Sequence, residues 1–144
     1  MIRFHGTCVL IGQTGVLLRG ASGAGKSDLA LRLIEDGARL VADDQVEIDR
    51  DENGLTARPP ATIAGLLEVR GVGIITLAYE APARLSLLID LVGPDAVDRL
   101  PEEQWEDVSG LPLRRFCLYA REVSAAAKVR LAVQVVTGNI ILVP

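Results

Sequence analysis

The most informative segment of the sequence reads Gly20-Ala21-Ser22-Gly23-Ala24-Gly25-Lys26-Ser27. It fits the pattern G-x-x-x-x-G-K-[ST], which is typical of a phosphate-binding loop. The residues just before it, 15–19, favour a strand, and those just after it, 28–36, favour a helix. In such a setting the backbone N–H groups of the loop and the helix N-terminus point at phosphate oxygens, and the helix dipole favours their negative charge.

This loop predicts binding of ATP together with Mg²⁺. Residues 20–27 would surround the phosphates, Lys26 would reach the β- and γ-phosphates, and the Ser27 hydroxyl would be a ligand of Mg²⁺. The alternative is a glycine-rich turn that carries Lys-Ser by chance. The strand on one side and the helix on the other favour the functional interpretation over that alternative.

Size and composition restrict the class of protein. The chain has 144 residues, of which 49% are hydrophobic, so we expect one domain over 1–144 with a real core. The formal net charge of −4 argues against nucleic acid or an anionic membrane as a partner. Cys8 and Cys117 form no C-x-x-C pair and are expected in the core of a protein kept reduced. No apolar stretch is long enough to cross a membrane, and the first residues are too polar for a signal peptide, so we expect a cytoplasmic protein.

The rest of the chain predicts hairpins rather than repeated βαβ units. A strand at 8–12 turns into the strand that enters the glycine-rich loop, and Glu52-Asn53-Gly54 marks a second hairpin with a type I′ turn. The further expectations are a strand at 39–42, a loop leading into a strand at 68–75, a buried strand at 85–92, a mobile polar loop at 93–113, a helix within 123–136 and a strand at 140–143. The predicted fold class is α/β, with a mixed, largely hairpin-built sheet and few helices.

Two adjacent carboxylates, Asp43 and Asp44, end the strand at 39–42. The helix runs away from the phosphates and the following strand brings the chain back, so this pair is expected beside the loop. Successive strand residues point to opposite faces, and the two aspartates therefore need not do the same work. One would hold Mg²⁺ or its water, and the other would accept a proton from an attacking hydroxyl. A solvated turn with two acids is the alternative.

Other polar residues are weaker candidates. His5 could orient an aspartate or steer a phosphate, or be a surface histidine. Glu68 and Arg70 alternate on an extended segment and could serve metal and phosphate, or form a surface pair. Arg99 and the pair Arg114-Arg115 flank an acidic stretch. An arginine on a mobile loop can compensate charge in phosphoryl transfer, although most loop arginines are simply solvated.

Together these motifs closely resemble the catalytic domain of bacterial HPr kinase/phosphorylase. The resemblance covers about the first half of the chain well, and its last motif is much more specific than the glycine-rich loop. The matching pieces occur in the family's order and near its spacing: His5-Gly6, Gly20 to Ser27, Arg39-Leu40-Val41-Ala42-Asp43-Asp44, and Leu67-Glu68-Val69-Arg70-Gly71-Val72-Gly73-Ile74-Ile75. Asp98-Arg99-Leu100 is similar to the family's catalytic-loop arginine segment.

The resemblance implies roles for single residues. Lys26 and Ser27 would bind the phosphates of ATP and Mg²⁺. One aspartate of the pair, Asp44 rather than Asp43, would be the base that deprotonates the target serine, and would act as an acid in the reverse direction.

Three further roles come from the same resemblance. Glu68 would be a second Mg²⁺ ligand, His5 a partner of the aspartate, and Arg99 an aid to transfer.

The resemblance also implies a nucleotide-binding fold akin to that of phosphoenolpyruvate carboxykinase and assembly as a homo-hexamer. It implies phosphorylation of a serine on the phosphocarrier HPr, or an HPr-like carrier, and removal of that phosphate by inorganic phosphate with release of pyrophosphate. The chain resembles the short forms that consist of the catalytic core alone. The alternatives are a small-molecule kinase or nucleotide hydrolase on the same loop, and a non-catalytic sensor of ATP or phosphate.

Overall fold

The protein is described by a computed structural model that covers residues 1–144. The mixed sheet with few helices that the sequence predicts is confirmed. The strands are β1 (Ile2–Ile11), β2 (Thr14–Arg19), β3 (Arg39–Ala42), β4 (Gln45–Asp51), β5 (Gly54–Arg58), β6 (Leu66–Val69), β7 (Gly73–Thr76), β8 (Ala83–Leu91), β9 (Gln104–Val108) and β10 (Leu111–Leu118), and the helices are α1 (Lys26–Glu35) and α2 (Ala125–Val136).

Eight of the strands form one sheet, and β6 and β7 form a separate hairpin. Within the large sheet the order is β2-β1-β4-β5-β8-β10-β9, with β3 also paired to β1. Because β2 also pairs with β8, the five strands β2, β1, β4, β5 and β8 form a closed circuit of neighbours. The sheet therefore curls into a ring of strands, and β9 and β10 extend it on one side.

Three neighbouring strands of this sheet, β2, β8 and β10, pair in parallel. β8 pairs in parallel with β2 on one side and with β10 on the other, and every other pairing between strands of the sheet is antiparallel. The connections that follow β2, β8 and β10 therefore leave the sheet at the same edge. In α/β sheets, ligands bind in the crevice beyond the carboxyl ends of parallel strands, and this is the edge that carries the glycine-rich loop.

Both faces of the central strands are buried, which explains their nearly continuous apolar sequences. On β2, Val16 and Leu18 contact the core beneath the helices, whereas Leu17 contacts the core enclosed by the ring. On the helix side, α1 contributes Leu29 and Leu33, which lie four residues apart and therefore on one face of the helix. These residues pin α1 against the sheet and so fix the loop that precedes it.

The first helix ends shortly before a glycine, and the second lies where helix-favouring residues occur. α1 ends in a Schellman motif, in which the N–H groups of Gly37 and Ala38 donate to the carbonyl oxygens of Ile34 and Leu33. The helix expected within 123–136 is confirmed as α2. Neither helix has both the length and the apolar character that a membrane crossing requires.

Several local expectations are wrong. The 52–54 hairpin exists, but Asn53 does not have the positive φ of a type I′ turn; its N–H donates to Asp51 Oδ1, and Gly54 already pairs with Asp51. Within 68–75 the expected strand is present as β7, but residues 68 and 69 belong to a second strand, β6, which pairs with it as a hairpin. The stretch 93–113, expected to be a mobile loop, contains all of β9 and the start of β10, which pair as a hairpin. Residues 140–143 are exposed and unpaired with any strand, although their composition favours a strand.

Candidate active site

The glycine-rich loop 20–25 joins β2 to α1. Gly25, just before the helix, has a left-handed φ of 98°, and a Cβ there would lie 3.1 Å from the Cβ of Ala120. A Cβ on Gly20 would lie 2.9 Å from the carbonyl oxygen of Leu91, at the end of β8. Two of the glycines are thus required by conformation and by close approach of the chain, independently of any ligand.

Lys26 lies under the loop and is largely buried. Its Nζ donates to the carbonyl oxygens of Gly20 at 2.7 Å and of Ala21 at 3.1 Å. Burial lowers the pKa of Lys26, and the negative charges of Asp43 and Asp44 oppose that shift. The ammonium group is therefore held at the loop, on the side where the aspartates lie.

Asp43 is buried, and both of its carboxylate oxygens are engaged. Its Oδ1 accepts hydrogen bonds from the hydroxyls of Ser27 at 2.9 Å and Thr7 at 2.8 Å. Its Oδ2 accepts one from the backbone N–H of Glu68 at 3.2 Å. Strands β1 and β6 and the start of α1 thus all hold this one carboxylate, beside the hydroxyl expected to bind Mg²⁺.

Asp44 differs from its neighbour in exposure and conformation. Its side chain is 66% exposed, and its φ of 69° is unusual for a residue other than glycine. The separation of the two carboxylates therefore comes from a tight turn between β3 and β4, not from strand alternation as the sequence suggested. The turn is fixed by the N–H of Gly6, which donates to the Asp44 carbonyl oxygen, and the N–H of Gln45, which donates to that of Asp43.

His5 lies beside Asp44. Its Nδ1 is 3.5 Å from Asp44 Oδ1, which is longer than an ordinary hydrogen bond, and its side chain is half exposed. Because β1 pairs with both β2 and β4, the histidine and the aspartate lie at the same edge as the loop.

Glu68 and Arg70 are placed differently from each other. Glu68 lies on β6. Its backbone N–H donates a hydrogen bond to Asp43, and its side chain is exposed. Arg70 lies in the turn after β6, so the alternation expected for an extended segment ends before it. The two side chains form no ion pair, and the structure gives neither of them a protein partner.

Arg99 lies in the connection between β8 and β9, is exposed and has no ion pair. That connection begins at Leu91, which contacts Gly20, so it leaves the sheet beside the loop. The structure shows no contact between Arg99 and the other candidate residues.

The pair Arg114-Arg115 is structural. Arg114 is buried, with its guanidinium over the rings of Phe116 and Trp105. Arg115 donates to Asp90 at 2.5 Å, inside the sheet-edge network described next.

A charged network lies immediately before the loop. Arg19, the last residue of β2, donates to Asp90 and Glu106, and Asp90 also accepts from Arg115. Burial raises the pKa of Asp90, but hydrogen bonds from Arg19 and Arg115 outweigh it and leave that pKa below its ordinary value. The Arg19 hydrogen bond likewise lowers the pKa of Glu106. The network ties β2, β8, β9 and β10 together where the loop begins.

The sequence interpretation missed two residues at this site. Thr7 is fully buried on β1 and binds Asp43. Its signal was weak: a single hydroxyl just before the apolar run 8–11, two residues after His5. Arg121 donates to the carbonyl oxygen of Gly23 at 2.6 Å. Nothing in its local sequence marks it, because its place depends on how β10 ends.

The donors available suit Mg²⁺ bound together with phosphates. No cluster of three or more His, Cys, Asp or Glu side chains is placed to hold a metal by itself. Mg²⁺ is usually held by one or two carboxylates plus the phosphates of a substrate, with water completing the octahedron. A hydroxyl paired with one carboxylate, Ser27 with Asp43, meets that pattern.

The architecture defines a sheet-dominant α/β protein with a glycine-rich strand–loop–helix unit and two carboxylates at its edge. Comparison with known sequences gives the family: residues 1–115 match the HPr Serine kinase C-terminal domain. The chain belongs to that family.

Relatives and solved structures agree with this assignment. The chain is 37% identical over 150 residues to the HPr kinase/phosphorylase of Bordetella pertussis, covering 96% of the chain and 48% of the relative. It is 44% identical over 110 residues to that of Geobacillus kaustophilus, covering 71% of the chain and 34% of the relative. The chain thus spans about half the length, or less, of these relatives.

The fold has a solved counterpart. The Hpr(Ser) kinase/phosphatase from Coxiella burnetii superposes with a TM-score of 0.80 at 25% identity, covering 96% of the chain and 95% of that structure.

Proposed function

We propose that the protein is an ATP-dependent serine kinase whose acceptor is HPr or an HPr-like phosphocarrier. One observation carries the proposal: buried Asp43 is bound to Ser27 of the glycine-rich loop, while its neighbour Asp44 is exposed beside the same loop. A metal-side carboxylate and a solvent-facing base are the two acids that phosphoryl transfer to a hydroxyl uses. The names of the relatives supply the acceptor.

The proposed roles follow from the contacts. Lys26 and the backbone of residues 20–27 would bind the phosphates of ATP, and Ser27 with Asp43 would hold Mg²⁺. Bound Mg²⁺ neutralises charge on the phosphates. The exposed side chain of Glu68 is a further candidate ligand of Mg²⁺, because the hydrogen bond from its backbone N–H to Asp43 holds this residue next to that carboxylate.

Asp44 is the better candidate for the base. Asp43 is buried and already accepts three hydrogen bonds from the protein, whereas the Asp44 carboxylate faces solvent, where an acceptor serine can reach it. In the proposed step Asp44 accepts the proton of the acceptor serine, the serine oxygen forms a bond to the γ-phosphorus, and the bond to the bridging oxygen breaks to release ADP. His5, 3.5 Å away, would orient Asp44.

Phosphorolysis would use the same groups in reverse. An oxygen of inorganic phosphate would bond to the phosphorus of the phosphoserine, the bond to the serine oxygen would break, and the protonated Asp44 would return its proton to that oxygen. The products are serine and pyrophosphate. Arg99, in the β8–β9 connection that leaves the sheet beside the loop, is the candidate for charge compensation in both directions.

Further proposals concern the setting of the reaction. Residues 1–144 would form one catalytic domain, since the two core clusters share the central strands. Both cysteines are free thiols, which agrees with a cytoplasmic protein. The homo-hexamer stays a prediction from the resemblance.

The surroundings of Asp44 favour a protein acceptor over a small molecule. A groove of about 690 Å³ opens elsewhere, lined by Leu55, Trp105 and Ile141 among others, and it contains no residue of 20–27 or 43–44. The edge beside Asp43 instead carries the β6–β7 hairpin, whose Val72 and Ile74 are exposed. An open edge with apolar side chains suits contact with another protein surface.

The test is a transfer assay read by intact mass. The purified protein is mixed with Mg²⁺-ATP and HPr from the same source, and the expected product is HPr with one added phosphoryl group. The phosphoryl group should be absent when the acceptor serine of HPr is replaced by Ala. It should also be absent when the Lys26→Ala variant replaces the wild-type protein. When phosphorylated HPr is then incubated with the wild-type protein and inorganic phosphate, without ATP, the phosphoryl group should be removed.

Two results would contradict the proposal. ATP hydrolysis without any change in HPr mass would favour a small-molecule kinase or hydrolase. Binding of ATP with neither hydrolysis nor transfer, unchanged by Asp44→Asn, would favour a sensor.

A further inference from the structure

The connection after β10 passes directly over the glycine-rich loop. Arg121 in this connection is exposed, and its Nη2 donates to the carbonyl oxygen of Gly23 at 2.6 Å. Gly23 lies in the middle of the loop, between the two glycines that β8 and Ala120 approach. The arginine therefore lies at the outer side of the loop, facing solvent.

The backbone around Arg121 is held firmly. Ala120 is buried against Gly25, and its carbonyl oxygen accepts a hydrogen bond from Arg32 of α1. On the other side Glu122 accepts a bond from Lys128 of α2 at 2.5 Å. The position of Arg121 is thus fixed by both helices, not by a free loop.

Most of the Arg121 guanidinium remains available. A guanidinium has five N–H donors, and only one of them is used on Gly23; no carboxylate pairs with this side chain. Two other arginines near the loop are engaged with protein: Arg19 with Asp90 and Glu106, and Arg32 with Asp28 and Ala120.

The balance of charge at the site calls for another cation. Lys26 is the only basic residue within 20–27, and two carboxylates, Asp43 and Asp44, lie near it. A polyphosphate brings several negative charges to this position. A planar guanidinium binds phosphate oxygens well because two parallel N–H groups match their geometry.

We propose that Arg121 is a second cationic residue of the phosphate site and binds the polyphosphate of ATP or pyrophosphate directly. The inference rests on the proposed function, since it needs the loop to bind phosphates. It assigns a ligand-binding role to the β10–α2 connection, so that the connections after two parallel strands, β2 and β10, both contact the ligand.

The test compares ligands that differ in phosphate content. Binding of ATP, pyrophosphate and AMP with Mg²⁺ is measured by calorimetry for wild type, Arg121→Ala and Arg121→Lys. Arg130→Ala is the matched control, because Arg130 is also a partly exposed arginine but pairs with Asp36 away from the loop. Thermal unfolding of each variant reports on stability.

Loss of a charge-assisted contact predicts about 10- to 100-fold weaker binding of pyrophosphate and ATP to Arg121→Ala. Arg121→Lys should recover part of it, AMP should be affected least, and Arg130→Ala should bind as wild type does. Affinity of Arg121→Ala for pyrophosphate within about twofold of wild type, or an equal loss for all three ligands, would overturn the inference and leave Arg121 as a brace for Gly23. If the wild type binds neither ATP nor pyrophosphate, the proposed function fails first and this inference with it.

Discussion

The hydroxyl of Ser27 donates a hydrogen bond of 2.9 Å to Oδ1 of Asp43, although the two residues lie sixteen positions apart in the chain. The bond exists because α1 leads away from the loop and β3 returns along β1. It joins the first turn of α1 to the turn in which the exposed Asp44 lies.

The two aspartates should separate binding from transfer. Asp44→Asn is expected to keep the affinity for Mg²⁺-ATP within about twofold and to lower the transfer rate by about 10²- to 10⁴-fold, the usual loss on removing a general base. Asp43→Asn should instead weaken Mg²⁺-ATP binding, since it alters the partner of Ser27. Calorimetry and single-turnover transfer measure the two effects. Transfer near the wild-type rate in Asp44→Asn would make Asp43 the candidate base.

Thr7 should behave as a positioning residue for Asp43. Thr7→Val keeps the shape but leaves Asp43 Oδ1 with one hydroxyl donor fewer, and we expect a loss of about 1–3 kcal/mol in the free energy of unfolding. Thr7→Ser restores the donor and should recover most of the loss. Denaturant unfolding and Mg²⁺-dependent nucleotide affinity are the measurements. Equal behaviour of the Val and Ser variants would show that the hydroxyl is unimportant.

The Asp90 network should make stability depend on pH on the acid side. The pKa of Asp90 is lower in the folded protein than its ordinary value of about 4. The contribution of ionised Asp90 to the free energy of unfolding is therefore complete above pH of about 5. It is lost as the pH falls through the lower pKa that Asp90 has in the folded protein. Asp90→Asn should be less stable than wild type by about 1.5–3 kcal/mol at neutral pH, and the difference should shrink below pH of about 4.

Unfolding curves at several pH values test this expectation. Asp95→Asn is the control, because Asp95 is exposed and has no ion pair. A difference between wild type and Asp90→Asn that stays constant down to the acid limit would contradict the role of the network.

Cys8 should be inert in the folded protein. It is fully buried, and burial raises the pKa of its thiol to about 12. A thiol reagent at pH of about 8 needs an accessible thiolate, so Cys8 should react only after unfolding. The Cys117→Ser variant isolates Cys8 for the measurement. Rapid labelling of that variant under native conditions would show that β1 opens locally.

The candidate site was predictable where chemistry lies in consecutive residues. The glycine-rich loop and the pair Asp43-Asp44 are local patterns with a known physical use. Thr7 and Arg121 were missed because each acts through a partner far away in the chain, 36 and 98 positions respectively. No local pattern reports such a contact.

The polar stretches were harder to interpret than the apolar ones. Acidic residues and prolines within 93–113 predicted a mobile loop. In the structure, Glu106 lies on β9 and forms an ion pair with Arg19, and β9 pairs with β10. Residues 140–143 have strand-like composition, yet no strand edge is placed beside them. In both cases the presence of a partner decides whether a strand forms, and local propensity is the weaker influence.

The sequence by itself determined the glycine-rich loop between a strand and a helix, the helix face that packs on the sheet, the mixed hairpin-built class and the family. These features depend on residues within one turn or one strand of each other, and local sterics and apolar spacing specify them. Only the tertiary structure decided which aspartate is buried, which strands run parallel, and that Arg121 lies over Gly23. Those features depend on how the sheet closes on itself, because pairing between distant strands brings together side chains whose separation along the chain carries no signal.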